Sequence, residues 1–205
     1  MICTTFEVIV PVTVKTRKGE TEVTTDEAIR PDSSIEALAK LRAVGGEGAT
    51  HTAGNSPGVN DGGGAAIITS EEWAEREGFE PIARVLSYAA VAGGFDALVE
   101  MPAPAAIKAL AKLGKTPADV DLWEVNEAFA SVAIGATRML GVDEEKMNVN
   151  GGAIALGHPI GATGARLVGA LVHELRRRGG GLGCAAICSG GGQGDAIVRE
   201  VLNGA

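Results

Sequence analysis

A chain of 205 residues, 45% of them hydrophobic, can bury a sizeable core as one domain, or as one domain plus part of a second. The formal net charge of −8 excludes a general nucleic-acid surface, and the sequence shows neither an apolar run of transmembrane length nor a signal-peptide pattern. Three cysteines, an odd number, do not suggest a disulfide framework, so the cytoplasm is the expected compartment.

Glycine, at 30 residues, is about twice as frequent as usual, while aromatic residues make up only 3%. Such a core is mostly Ala, Val, Leu and Ile, and suits closely stacked layers. Residues Phe6 to Val14 alternate and are β-branched, which predicts a strand, and Glu22 to Thr25 a short return strand. Ser34 is a candidate N-cap for a helix over Ile35 to Leu41, which Gly45 to Gly48 stop. The segment from Thr52 to Gly64 is loop-like. Ala65 to Thr69 predicts a short strand, and Ser70-Glu71-Glu72 the opening of a helix through Arg76. A strand over Ile82 to Ala90, a helix over Ala103 to Leu113 and a short helical start at Thr116-Pro117-Ala118-Asp119 follow.

Further on, Leu122 to Val125 predicts a strand and Glu127 to Leu140 a helix ending at Gly141. The helix over Ile160 to Arg178 is apolar or small nearly all round for three turns, with Gly161, Ala165 and Gly169 stacked on one face, so it is expected to be buried. Its end carries His173, expected to be exposed, and the basic run Arg176-Arg177-Arg178, which complements the helix dipole. Gly183 to Cys188 and Asp195 to Val201 read as two final strands. Alternating helices and strands predict an α/β fold with a layered mixed sheet.

Three residues stand where chemistry is expected. His158, between Gly157 and Pro159, precedes a helix whose dipole favours a neutral imidazole able to accept a proton; it reads equally as a structural histidine bonded to a carbonyl. Cys188 ends an apolar strand before three glycines, whose backbone N–H groups could stabilise an oxyanion; it reads also as a small core residue. Asn126, between strand and helix, is either an N-cap or an amide orienting water or a carbonyl. Glu127 is expected to be structural, and Asn148 and Asn150 turn formers. Neither a phosphate loop nor a dinucleotide fingerprint stands in the required context, and Cys184-x3-Cys188 is not a zinc spacing.

The order of these signals is more specific than any one of them. Asn-Glu-Ala-Phe at 126–129, Asn-x-x-Gly-Gly-x-x-x-x-Gly-His-Pro at 148–159 and Cys-x-Gly-Gly-Gly at 188–192 resemble the three C-terminal signatures of thiolases. Thr52-Ala53-Gly54-Asn55, followed by Asn60-Asp61-Gly62, is similar to the loop leading into that domain. The resemblance implies part of a loop domain over residues 1–60 and the thiolase C-terminal domain over 61–205. It implies that Cys188 is the base that moves the α-proton of an acetyl thioester. It implies that His158 activates a nucleophilic cysteine and helps form an oxyanion hole, that Asn126 holds that hole's water, and that the Gly190 N–H belongs to a second hole. Arg30, Ser56 and the loop through Gly58 are implied to contact coenzyme A, a substrate rather than a permanently bound cofactor. Pro57 stands where relatives often carry a serine against the pantetheine.

The family's nucleophilic cysteine belongs to an N-terminal half that these residues do not include. The chain is therefore expected to act in thiolysis of 3-ketoacyl-CoA, or in condensation of acetyl-CoA, together with a complementary N-terminal chain. The alternatives are a non-catalytic thioester-binding or assembly subunit and a truncated product. Any such half-fold leaves a helix face uncovered, which predicts self-association or a partner.

Overall fold

The computed structural model describes residues 10–25 and 28–202. Its first elements form an antiparallel hairpin, β1 (Val12–Thr16) with β2 (Gly19–Val23), in which Thr16 pairs with Gly19. Gly19 has φ 125°, which the tight reversal after Arg17-Lys18 requires. Strand β1 starts at Val12, past the described Val10 and Pro11, and ends two residues beyond the expected Val14, while β2 starts three residues before Glu22 and ends two before Thr25; Phe6 to Ile9 fall outside the described residues. Helix α1 (Ile35–Leu38) is a single turn; Ser34 caps it, its Oγ accepting from the Ala37 N–H at 3.1 Å. Helix α2 (Glu71–Glu77) is capped likewise by Ser70 and closed by Gly78 in the left-handed region.

The main sheet has four strands in the order β3 (Ala83–Ala92), β6 (Gln193–Val201), β5 (Gly181–Ser189) and β4 (Leu122–Val125). The β3–β6 and β6–β5 pairs are antiparallel and β5–β4 is parallel, so the sheet is mixed as expected. Helices α3 (Pro102–Ala111) and α4 (Ala130–Leu140) cover one face, and α6 (Ile160–Arg177) the other. Strand alternation sorts the core accordingly. Trp123, Val125, Cys184, Ala186 and Val198 meet Ala103, Ala106, Leu110, Val132 and Ala136 on the α3–α4 side. Leu122, Ala185 and Val201 meet Leu167, Leu171, Val172 and Leu175 of α6 on the other. Small residues let the layers close: a Cβ on Gly183 would overlap Leu171 and Leu175.

Three expectations are corrected. Ala65 to Thr69 does not form a strand; none of the described strands runs beside it, and a strand is defined by its partner. Helix α4 starts at Ala130 rather than Glu127, because residues 126–129 are drawn off by contacts described below. Helix α6 is not buried all round: Leu167, Leu171 and Leu175 face the sheet, but Ile160, Gly161 and Gly164 face outward. A Cβ on Gly161, Gly164 or Gly169 would meet nothing. His173 is exposed, as the sequence predicts.

Candidate active site

The parallel pair β4–β5 sets the site's position. Val125 pairs with Ala186, and the Asn126 N–H donates to the Ala186 carbonyl at 3.0 Å. Asn126 and Cys188 therefore leave the same end of two adjacent strands, where a sheet edge meets loops and helix termini. Asn126 is 1% exposed and does not cap α4; that position is held by Phe129. Its Nδ2 instead lies 3.3 Å from His158 Nε2. The structure thus joins two of the predicted residues, and Asn126 Oδ1 is buried without a hydrogen-bond partner among the described residues.

His158 is fixed from several directions. Helix α5 (Ala153–Leu156) ends at Gly157, whose φ of 91° turns the chain sharply. A Cβ on Gly157 would overlap Asn60, so the Val59–Asn60 segment can lie against it. Asn60 Oδ1 accepts from the His158 N–H at 3.2 Å, and Val59 pairs with His158 in a one-residue parallel bridge. On its other side, His158 Nδ1 lies 2.7 Å from Thr163 Oγ1, in the first turn of α6. Burial lowers the imidazole pKa, and the positive charge of Arg166 on α6 lowers it further, which favours the neutral ring.

Glu127, expected to be merely structural at the head of α4, reaches a different helix. Its Oε2 accepts from the Ile154 N–H at 3.0 Å in the first turn of α5, and a Cβ on Gly152 would overlap its carboxylate. Adjacent residues thus grip the histidine segment twice: Asn126 at the ring, Glu127 at the helix leading to it. Asn148, with φ 48°, is more than a turn former. Its Oδ1 accepts from the Val125 N–H at 2.8 Å and its Nδ2 donates to the Val125 carbonyl at 2.9 Å, so one side chain continues the ladder beside β4. Asn150 Nδ2 donates to Glu174 on α6 at 3.0 Å. Local spacing gave no signal for these long-range contacts.

Cys188 sits on β5 opposite Gly194, half-buried against the α3–α4 cluster, and no hydrogen bond joins it to Asn126 or His158. Burial raises its thiol pKa, which a backbone hydrogen bond partly offsets. Gly190 opens the following turn, its carbonyl accepting from Gln193 Nε2 at 2.9 Å. Gly192 has φ 70°, and a Cβ there would overlap the Gly94 carbonyl, so the glycine run fits a turn pressed onto the end of β3.

The Thr52–Asn55 loop packs beside the same site. The Asn55 carbonyl accepts from the Ala130 N–H at 2.9 Å at the start of α4, and the His51 and Phe129 ring centroids lie 4.4 Å apart. Arg30, Ala53 and Gly54 line a cavity of about 550 Å³ against Asn150, Ile154 and Leu156. Ser56 and Gly58 are in the next turn, outside that cavity; Ser56 Oγ donates to Asn55 Oδ1 at 3.4 Å.

Comparison with known proteins identifies the family and fold. Residues 79–201 match the family "Thiolase, C-terminal domain" and residues 4–72 match "Thiolase, N-terminal domain". The acetyl-CoA acetyltransferase of Paracoccus denitrificans is 47% identical over 94% of this chain and 49% of its own length. The crystal structure of Bacillus anthracis acetyl-CoA acetyltransferase superposes with a TM-score of 0.89 at 42% identity, covering 96% of this chain and 50% of that one. Human mitochondrial 3-ketoacyl-CoA thiolase, solved in complex with CoA, gives a TM-score of 0.81 at 42% identity over 92% of this chain and 47% of that one. The chain spans about half the length of the curated relatives it matches, and it belongs to the thiolase family.

Proposed function

We propose that the chain supplies the C-terminal half of a thiolase site, acting in thiolytic cleavage of a 3-ketoacyl-CoA or in Claisen condensation of acetyl-CoA. The observation that carries this reading is the buried Asn126 amide held 3.3 Å from His158 Nε2, in a setting where burial and Arg166 favour the neutral ring. In thiolysis, coenzyme A is a substrate and no permanently bound cofactor is required. His158 Nε2 takes the proton of a nucleophilic cysteine contributed by a complementary N-terminal half. The Asn126 amide holds the water of the adjoining oxyanion site; the unpartnered Oδ1 supports that role. Cys188 moves the α-proton, and the raised thiol pKa suits a group that is protonated at rest and returns a proton. The Gly190 N–H serves the second oxyanion site, and Arg30, Ser56 and Gly58 contact coenzyme A.

The N-terminal half docks, in this reading, on the open side of α6 and along residues 64–69. Gly62 and Gly64 already press on Pro159 and Ala165 of α6. Ile67 and Ile68 are 87% and 81% exposed, an apolar pair that a docked half would cover. No helix among the described residues is long and apolar enough to cross a membrane. Separately, with three cysteines and no disulfide framework expected, we place the protein in the cytoplasm.

The test is thiolysis of acetoacetyl-CoA after adding a matched N-terminal thiolase chain. Activity is expected only with both chains, and His158→Ala should lower kcat by roughly 100-fold or more. A folded two-chain complex without turnover would favour a non-catalytic thioester-binding subunit, the alternative that Pro57 supports by removing a hydroxyl and an N–H from the expected pantetheine contact.

A further inference from the structure

We propose that Thr163 is a positioning residue that fixes the His158 tautomer, holding the proton on Nδ1 and leaving Nε2 as the basic nitrogen. The inference rests on His158 being the base of the proposed site, but its structural content stands apart from turnover.

The argument is a proton inventory. Thr163 is fully buried, and its hydroxyl has one hydrogen and two neighbours. Oγ1 lies 2.9 Å from the Pro159 carbonyl, four residues earlier, and 2.7 Å from His158 Nδ1. A carbonyl can only accept, so the hydroxyl hydrogen goes to Pro159, the back-bond that a helical threonine commonly makes. Thr163 Oγ1 then faces Nδ1 as an acceptor, and Nδ1 carries the hydrogen. The opposite ring nitrogen is compatible with this: with Asn126 Nδ2 turned toward it at 3.3 Å, Nε2 presents its lone pair. The Asn126 amide has no other hydrogen bond among the described residues fixing its orientation, so Thr163 is the neighbour that selects the tautomer.

The consequence is directional. Nε2 points toward the end of β4, where Asn126 emerges, while Nδ1 points back into α6. When Nε2 takes a proton, Thr163 still accepts from Nδ1–H and holds the ring, while the Asn126 amide, which can no longer donate to Nε2, turns its Oδ1 toward the new N–H. Burial and the positive charge of Arg166 both disfavour that cation at rest. The reversed arrangement would need the Thr163 hydroxyl to abandon Pro159 and the Asn126 amide to rotate by half a turn.

The experiment is long-range ¹H–¹⁵N correlation of the imidazole nitrogens in the uniformly labelled chain at pH 7.5, with His158 assigned by loss of its signals in His158→Gln. Protonated Nδ1 and unprotonated Nε2 are expected in the unmodified chain. Thr163→Ser should keep that pattern. Thr163→Val, which keeps the shape and removes the acceptor, should shift His158 toward the Nε2–H form with an otherwise unchanged amide spectrum. In the two-chain enzyme, Thr163→Val should lower kcat on the order of 10-fold with little change in KM, and Thr163→Ser should restore it. An Nε2–H histidine in the unmodified chain overturns the proposal even if Thr163→Val does not fold. An unchanged tautomer in folded Thr163→Val overturns it as well. Failure of the two-chain enzyme to turn over would sink the functional reading while leaving the tautomer result to stand or fall by itself.

Discussion

Residues 10–78 and residues 79–202 carry comparable patterns and meet very different fates. The second region closes two core clusters on either side of a four-stranded sheet, with Trp123, Leu110 and Leu171 each at most 1% exposed. In the first region Ala74 is the one fully buried hydrophobic residue among those described. Yet the first region also has alternating valines, two Ser-capped helices and an Ile-Ile pair. It has elements but no layer to pack them on. Local signals, caps and turns, are enough to form a hairpin or a helical turn; burial needs a second surface. Val59, Ile67 and Ile68 are all more than half exposed in the chain alone, a surface that calls for a partner.

The largest effect that would sharpen this contrast is a pair of substitutions. Trp123→Ala should destabilise the chain by about 3–5 kcal/mol, read as a shift in the urea midpoint. Ile68→Ser should leave that midpoint unchanged within about 0.5 kcal/mol and weaken association with an N-terminal half instead. A large loss from Ile68→Ser in the isolated chain would mean that the first region is more integrated than its exposure indicates.

The second effect is electrostatic. Glu124 points from β4 toward the α6 side, 3% exposed, and burial pushes its carboxyl up to about 8, opposed by Arg166 and aided by the charges of Glu127 and Glu174. Between the ordinary value of 4.5 and about 8, the folded chain holds a proton that the unfolded chain has lost. This contribution is complete below pH 4.5 and disappears as pH rises to about 8, with a slope of up to about 1.4 kcal/mol per pH unit. Urea unfolding at several pH values should show that decline, and Glu124→Gln should flatten it; an unchanged slope in the variant would assign the pH dependence elsewhere.

A smaller effect tests the grip on the histidine segment. Gly152→Ala drives a methyl into the Glu127 carboxylate and should cost about 1–3 kcal/mol. The same substitution should disturb the His158 imidazole signals, whereas Gly164→Ala, on the open face of α6, should do neither. The smallest is Ser34→Ala. It removes the cap of α1 and should cost up to about 1 kcal/mol locally, visible as faster amide exchange over Ile35 to Leu38 without a change in the global midpoint.

How much of this was legible in the sequence depended on whether a signal was local. Strands β3 to β6 and helix α6 lie within a few residues of where periodicity places them, because their period and their burial agree. The start of α4 was not legible: Asn126 and Glu127 look like a helix opening, but their side chains are spent on His158 and Ile154, 32 and 27 residues away. Ala65 to Thr69 has strand composition and no strand beside it. The outward face of α6 reads as buried because small residues suit both a close neighbour and an open face. Among the residues proposed for the site, His158 and Asn126 prove to be in contact. Thr163 escaped notice because a threonine inside a small-residue helix looks like packing until the imidazole lies against it.

The most direct measurement is hydrogen–deuterium exchange on the chain alone and in a one-to-one complex with a complementary thiolase N-terminal half. The amides of Ala65 to Thr69 should exchange rapidly in the isolated chain and gain strong protection in the complex, together with Val59 to Gly64, while β3 to β6 stay protected in both. A verified complex that left residues 65–69 exchanging as before would contradict the view that this region is an unpaired part of a larger thiolase fold.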